Sequence, residues 1–114
     1  MLEQSRIFEA LADPARRRIL DVMKGGEFAV GDIVARMEIH QSGVSRHLRI
    51  LEEAGIVQMR PDAQRRLYSL RREAFDRLEQ WVAAYTRHWD ARLDRLGDAL
   101  ERKRRASTTE HQEE

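Results

Sequence analysis

The residues that could do chemistry in this chain are few, and most enzymatic roles drop out at once. There is no cysteine, so disulfides, thiolate metal sites and thiol redox chemistry are excluded. His40 and His47 lack a second histidine or carboxylate at ligand spacing. His88 has Ala84, Tyr85, Ala91 and Arg92 three and four residues away, none of which completes a metal site. No glycine-rich phosphate loop, nucleophile–histidine arrangement or perturbed carboxylate cluster is present, so the chain reads as a non-enzyme with no metal and no cofactor. What remains is hydrogen-bonding and charge. Gln41, Ser42, Gly43, Ser45, Arg46, His47 and Arg49 fall within nine positions, and Gln64, Arg65 and Arg66 form a second group. Arginine can donate two bonds to guanine and glutamine can pair with adenine, while small residues such as Ser42, Gly43 and Ser45 let a helix approach closely. This is the chemistry of reading a duplex.

Charge distribution agrees. The net charge of the 114 residues is only +1. Residues 1–41 carry 6 basic against 7 acidic side chains, residues 42–72 carry 7 against 3, and residues 73–114 carry 8 against 10. The positive excess is therefore local, as suits a polyanion approached from one side. A pair such as Arg65-Arg66 is by itself an ordinary solvated surface; the elements around it give it meaning.

Those elements follow from apolar spacing. Ile7, Phe8 and Leu11 mark a first helix over residues 2–11. Asp13-Pro14 starts a second, since aspartate accepts from orphan amides and proline at the first helical position sacrifices no needed donor. Ala15, Ile19, Leu20 and Met23 continue it to Gly25-Gly26. Arg16, Arg17 and Arg18 splay around this helix and read as solvated or salt-bridged. Phe28-Ala29-Val30 leads to a short third helix over 31–37. After the turn Glu38-Ile39-His40 a fourth runs over 41–54, with Val44, Leu48 and Leu51 inward and Gly55 as its stop. Residues 56–60 and 65–70 alternate as a hairpin, with Pro61 to Gln64 as its turn. From Arg72 to Arg102 the pattern is one helix, with Phe75, Leu78, Val82, Tyr85, Trp89, Leu93, Leu96 and Leu100 stepping by threes and fours. At 1.5 Å per residue that rod is roughly 45 Å long, more than so small a core covers. A second copy is the simplest source of cover. Trp81, Tyr85 and Trp89 could instead line a small pocket, but at helical spacing plain interface core is the simpler reading. Asp90 and Asp94 have arginine neighbours and need no catalytic role. Residues 103–114 show no apolar period and are expected to form a disordered tail.

The expected fold is therefore α+β and mainly helical. It is a winged helix-turn-helix of five helices and a two-stranded β-wing, ending in a long dimerisation helix, with residues 1–102 as one domain. Gln41 to Val57 resembles the recognition helix and following strand of the ArsR family of repressors. Leu11 to Leu20 resembles the opening of that family's second helix, and Arg66 to Leu70 the return strand of its wing. The resemblance covers roughly residues 5–100, and three motifs in the right order make it specific. It implies a homodimer closed by the first and last helices, with Ile7, Phe8, Phe75, Leu78, Val82, Tyr85, Trp89, Leu93 and Leu96 as interface residues. It also implies binding to a double-stranded operator of two-fold symmetry and repression relieved by an effector. That effector, a small molecule among the candidates, the sequence does not identify. Gln41, Ser42, Ser45, Arg46 and His47 are the contact positions carried over, and Gln64, Arg65 and Arg66 are added from the wing.

The departures are informative. Many members sense metals through a Cys-Val-Cys segment whose cysteine places are Ala29 and Gly31 here. The family's other site needs an aspartate where Thr86 stands and a second histidine where Ala99 stands. Neither set can ligate. Glu38 and His40 replace a usual glycine and a usual serine or threonine cap in the turn. Two alternatives stay open: a winged helix that binds protein and not DNA, and a repressor sensing metal through atypical ligands. The start of the chain has no basic-then-apolar leader and no apolar run spans a bilayer, so a cytoplasmic protein without membrane contact is expected.

Overall fold

Local signals set the first two helices, and tertiary cover holds them. In a computed structural model, which describes residues 2–113 and the side chains of 4–107, α1 spans Leu2–Leu11 and α2 spans Pro14–Val22. The Asp13 carboxylate accepts from the Ala15 amide at 2.7 Å and more weakly from Arg16 at 3.4 Å. The Ala15 bond is the main cause holding the Asp13 carboxyl below its ordinary value, helped by the Arg16 bond and by the nearby charges of Arg16 and His47. Arg16 and Arg17 are not idle: their guanidinium groups donate back to the carbonyls of Glu9, Ala10 and Leu11, closing the end of α1.

A two-residue strand β1 (Phe28–Ala29) precedes α3 (Val30–Ala35), and α4 follows over Gln41–Glu53. The strand β2 (Val57–Asp62) and the strand β3 (Arg65–Leu70) pair antiparallel, with Val57 opposite Leu70 and Asp62 opposite Arg65. The wing is two-stranded as expected, and β1 extends it. Phe28 pairs with Tyr68 and Ala29 with Leu67, giving the order β1-β3-β2. Two residues carry too little alternation to announce a strand, which is why the segment read as a mere lead-in. The wing turn is also tighter than expected. Pro61 and Asp62 belong to β2, leaving Ala63-Gln64 as the loop, with Ala63 at φ 56°. Proline is tolerated because β2 is the sheet's edge strand.

Up to Leu78 these elements enclose one core. Ile19, Met23, Ile33, Val44, Leu48, Leu51 and Ile56 are fully buried within it. Ile7 belongs here as well, at 1% exposure, so it serves the protomer's own core and not an outer interface. Phe75 and Leu78 pack partly against the same core. Gly55 at φ 78° ends α4. Its amide bonds Glu52 and that of Ile56 bonds Leu51, each at 2.9 Å, which turns the chain sharply into β2.

From Glu79 onward the second unit is a single helical rod. α5 runs without a break from Arg72 to Glu113, about 63 Å. Lys103 to Ser107 are thus helical, against the expected tail. Their lack of apolar period removed the amphipathic signal, but Lys103, Arg104, Arg105 and Ala106 are good helix formers that continue an existing helix at little cost. The rest of the expected tail, from residue 108, lies outside the residues whose side chains are described. Val82, Tyr85, Trp89, Leu93, Leu96 and Leu100 form an exposed stripe along the rod, with Trp89 at 56%. The Trp81 and Tyr85 rings lie 4.8 Å apart beside it, and the Arg92 guanidinium sits 5.4 Å above the Trp89 ring. No helix among the described residues is long and apolar enough to cross a membrane.

Candidate nucleic-acid interface

The orientation of α4 is decided by what it buries. Val44, Leu48 and Leu51 anchor one face in the core, so Ser42, Ser45, Arg46 and Arg49, spaced i, i+3, i+4, i+7, are carried outward and are all exposed. Gln41, at the first helical position, is exposed beside them. His40 performs the capping that its residue type left in question. Its Nδ1 accepts from the Ser42 amide at 3.2 Å and pairs with the Ser42 hydroxyl at 2.9 Å.

Two members of the expected set sit differently. Helical periodicity puts Gly43 and His47 between the arginine stripe and the buried face of α4, and both are half-buried. A Cβ on Gly43 would meet Ile39 Cγ2 at 2.9 Å, so this glycine lets the preceding turn pack against the helix. The Nδ1 of His47 is enclosed without a hydrogen-bond partner among the described residues.

In the wing, Gln64, Arg65 and Arg66 are exposed at or next to the tip. Arg65 is not a free cation: its Nη2 donates to Asp32 Oδ2 at 3.1 Å. Arg60 was not anticipated. It makes a bidentate pair with Glu27, at 3.0 and 2.9 Å, which holds the Glu27 carboxyl below its ordinary range and raises the guanidinium. Among the described residues Arg46, Arg49 and Arg66 form no ion pair, so α4 and the wing tip each carry positive charge that no carboxylate neutralises. No sequence period could announce pairs whose partners lie 33 residues apart. The one available hint was Asp32 itself, three residues after Ala29. It accepts the Ala29 amide at 3.1 Å, the acidic half of a helix-start box. Among the described residues no three histidine or acidic side chains are grouped to hold a metal ion.

The geometry has known counterparts. The profile for the bacterial regulatory protein, arsR family, matches residues 13–59, from the cap of α2 into β2. The transcriptional repressor SdpR of Bacillus subtilis is 33% identical over 86 residues, covering 75% of this chain and 96% of that protein. The arsenical resistance operon repressor of Staphylococcus xylosus is 31% identical over 78 residues, covering 68% of this chain and 75% of its own length. Among solved structures, the homodimeric winged helix-turn-helix DNA-binding domain from Mycobacterium bovis superposes with a TM-score of 0.61 at 31% identity. It covers 73% of this chain and 81% of that one.

Proposed function

The chain belongs to the arsR family of bacterial regulatory proteins, and from that premise we propose that it is a homodimeric, sequence-specific DNA-binding repressor of transcription. The observation that carries the reading is α4. Its buried face fixes an outward stripe of Ser42, Ser45, Arg46 and Arg49, with Gln41 at its start and the cationic wing tip of Gln64 and Arg66 in the same unit. In this reading Arg46 and Gln41 read base edges, the serines allow close approach, and Arg49 and Arg66 meet phosphates. Gly43 and His47, half-buried beside this stripe, set how closely the helix packs. Arg65 is electrically compensated and contributes less than its position suggests.

Dimerisation supplies the second recognition helix. Phe8 and the stripe Val82, Tyr85, Trp89, Leu93 and Leu96 are exposed apolar side chains that a second copy would cover, with Phe75 and Leu78 at the stripe's edge. Two copies of α4 would then meet successive major grooves, about 34–36 Å apart, on an operator of matching two-fold symmetry. An effector that biases the DNA-free state would relieve repression. Ala29, in β1, and Gly31, in α3, offer no metal ligands, so its chemistry differs from the cysteine-based sensors. A cytoplasmic location fits such a role.

Fluorescence anisotropy of a labelled duplex from upstream of the protein's own gene, against a scrambled duplex near physiological salt, tests this directly. A preference of about a thousandfold is expected. Equal binding to both, or binding to neither, rejects the reading. Arg46→Ala should cost the upstream duplex about 1–3 kcal/mol and leave the scrambled one much less affected.

A further inference from the structure

The two acidic residues that neutralise the wing come from one short segment. Glu27 precedes β1 and Asp32 lies in the first turn of α3, and they engage Arg60 and Arg65 respectively. Of the three wing arginines only Arg66 is left without an ion pair among the described residues. Asp32 is held in place independently of the wing, because the same Oδ2 that accepts from Arg65 also accepts the Ala29 amide. A carboxylate fixed by a backbone bond and presented to an arginine at 3.1 Å has the charge and reach of a DNA phosphate oxygen.

We propose that Asp32 is an autoinhibitory mask: it occupies Arg65 as an internal substitute for phosphate and removes that arginine from the positive charge DNA feels. The inference rests on the reading of α4 and the wing as a DNA interface. Both side chains of the pair are more than half exposed, so the pair is weak and exchangeable. Exchange alters the ion balance in a definite way. When Arg65 leaves Asp32 for a phosphate, that phosphate is neutralised, but the abandoned carboxylate adds a negative charge beside the DNA that keeps a cation in the condensed atmosphere. Net release from this arginine is near zero, whereas Arg66 contributes its full share. Non-specific affinity, which depends almost entirely on such release, is held down accordingly.

The test is the salt dependence of binding to a random-sequence duplex, which needs no knowledge of the operator. For the wild type and variants, log K is followed against log salt from about 50 to 200 mM. Arg66→Gln should lower the slope by about 0.9 per protomer, the loss of one phosphate contact. Arg65→Gln should leave it almost unchanged. Asp32→Asn, which keeps an oxygen for the Ala29 amide, should steepen it by about 0.9 per protomer and tighten binding at low salt. Adding Arg65→Gln to Asp32→Asn should cancel that gain, which separates unmasking of Arg65 from a general effect of removing an acid. The mask is overturned if Arg65→Gln costs as much slope alone as in the Asp32→Asn background, or if Asp32→Asn changes nothing. A wild-type protein that binds no duplex even at the lowest salt sinks the DNA reading and the mask with it. Salt-dependent binding by the wild type without the coupling sinks the mask alone.

Discussion

Leu48 and Leu93 occupy equivalent sites in two helical patterns, and their environments differ completely. Leu48 follows Val44 by four and precedes Leu51 by three, and its exposure is 0%. Leu93 follows Trp89 by four and precedes Leu96 by three, and its exposure is 59%. An apolar period states which face of a helix demands cover, and nothing in the period states who provides it. In α4 the cover comes from α1, α2, α3 and β2 of the same chain. In the rod beyond Leu78 the stripe stays exposed, and in the proposed dimer the second copy meets that demand.

Truncation at the two leucines is the strongest way to break this contrast. Leu48→Ala removes a fully packed side chain and should lower unfolding stability by about 2–5 kcal/mol in urea at any protein concentration. Leu93→Ala should leave an isolated protomer almost unaffected, because its side chain packs on little, and should cost stability only at concentrations where dimers form. Equal losses at high dilution would mean that the rod is covered within the chain. Next in size is Trp89→Asp. A charge in the middle of the stripe should weaken dimerisation by a hundredfold or more, read as a shift from dimer to monomer in sedimentation equilibrium. Far-ultraviolet helicity of the remaining protein should be nearly retained, since the body up to Leu78 keeps its own core. A sedimentation profile identical to wild type would remove Trp89 from the interface.

Much of the body was legible because its signals are local. Asp13-Pro14 announced α2, Gly55 announced the end of α4, and Val44, Leu48 and Leu51 fixed which side of α4 would face out. The exposed positions of Gln41, Ser42, Ser45, Arg46 and Arg49 followed from that same period. What escaped notice depends on contacts distant in sequence or on more than one partner. β1 is too short to alternate, and it exists because β3 offers it a ladder. Arg65 looked like an ordinary solvated cation, and Arg60 was not singled out, because Glu27 and Asp32 lie 33 residues earlier. Ile7 entered the interface set with Phe8 through the family resemblance, and only packing shows that Ile7 turns inward. The unbroken reach of α5 past Arg102 was missed for a different reason: helix propensity persists after amphipathic pattern stops.

Gly43 sharpens the comparison within α4 itself, between a face built for packing and a face built for contact. Replacing it by alanine gains helix propensity of up to about 1 kcal/mol. The new Cβ, however, lands 2.9 Å from Ile39 Cγ2, a branched methyl that moves only if the side chain rotates. Overpacking of this kind costs about 1–3 kcal/mol, so a net loss of about 1 kcal/mol is expected for Gly43→Ala. In an Ile39→Ala background the methyl is gone and the same substitution should become neutral or stabilising. A Gly43→Ala protein of unchanged stability but reduced duplex affinity would return this residue to the contact face.

The smallest expected effect concerns the Asp13 cap, the local signal on which the body's second helix begins. Its carboxyl is held below the ordinary value chiefly by the Ala15 amide, so the folded state prefers the charged form more than the unfolded state does. The stability this supplies is complete above the unfolded carboxylate range and is lost as pH falls through the folded value. Asp13→Asn keeps an oxygen for the Ala15 amide but cannot titrate. It should melt slightly lower than wild type at neutral pH, with the difference shrinking as the solution is acidified. Nothing in the stripe beyond Leu78 depends on this carboxylate, so the dimerisation constant of Asp13→Asn should track wild type at neutral pH. A variant that melts like wild type there, or whose deficit grows on acidification, would show that the charge on Asp13 contributes nothing to starting the helix.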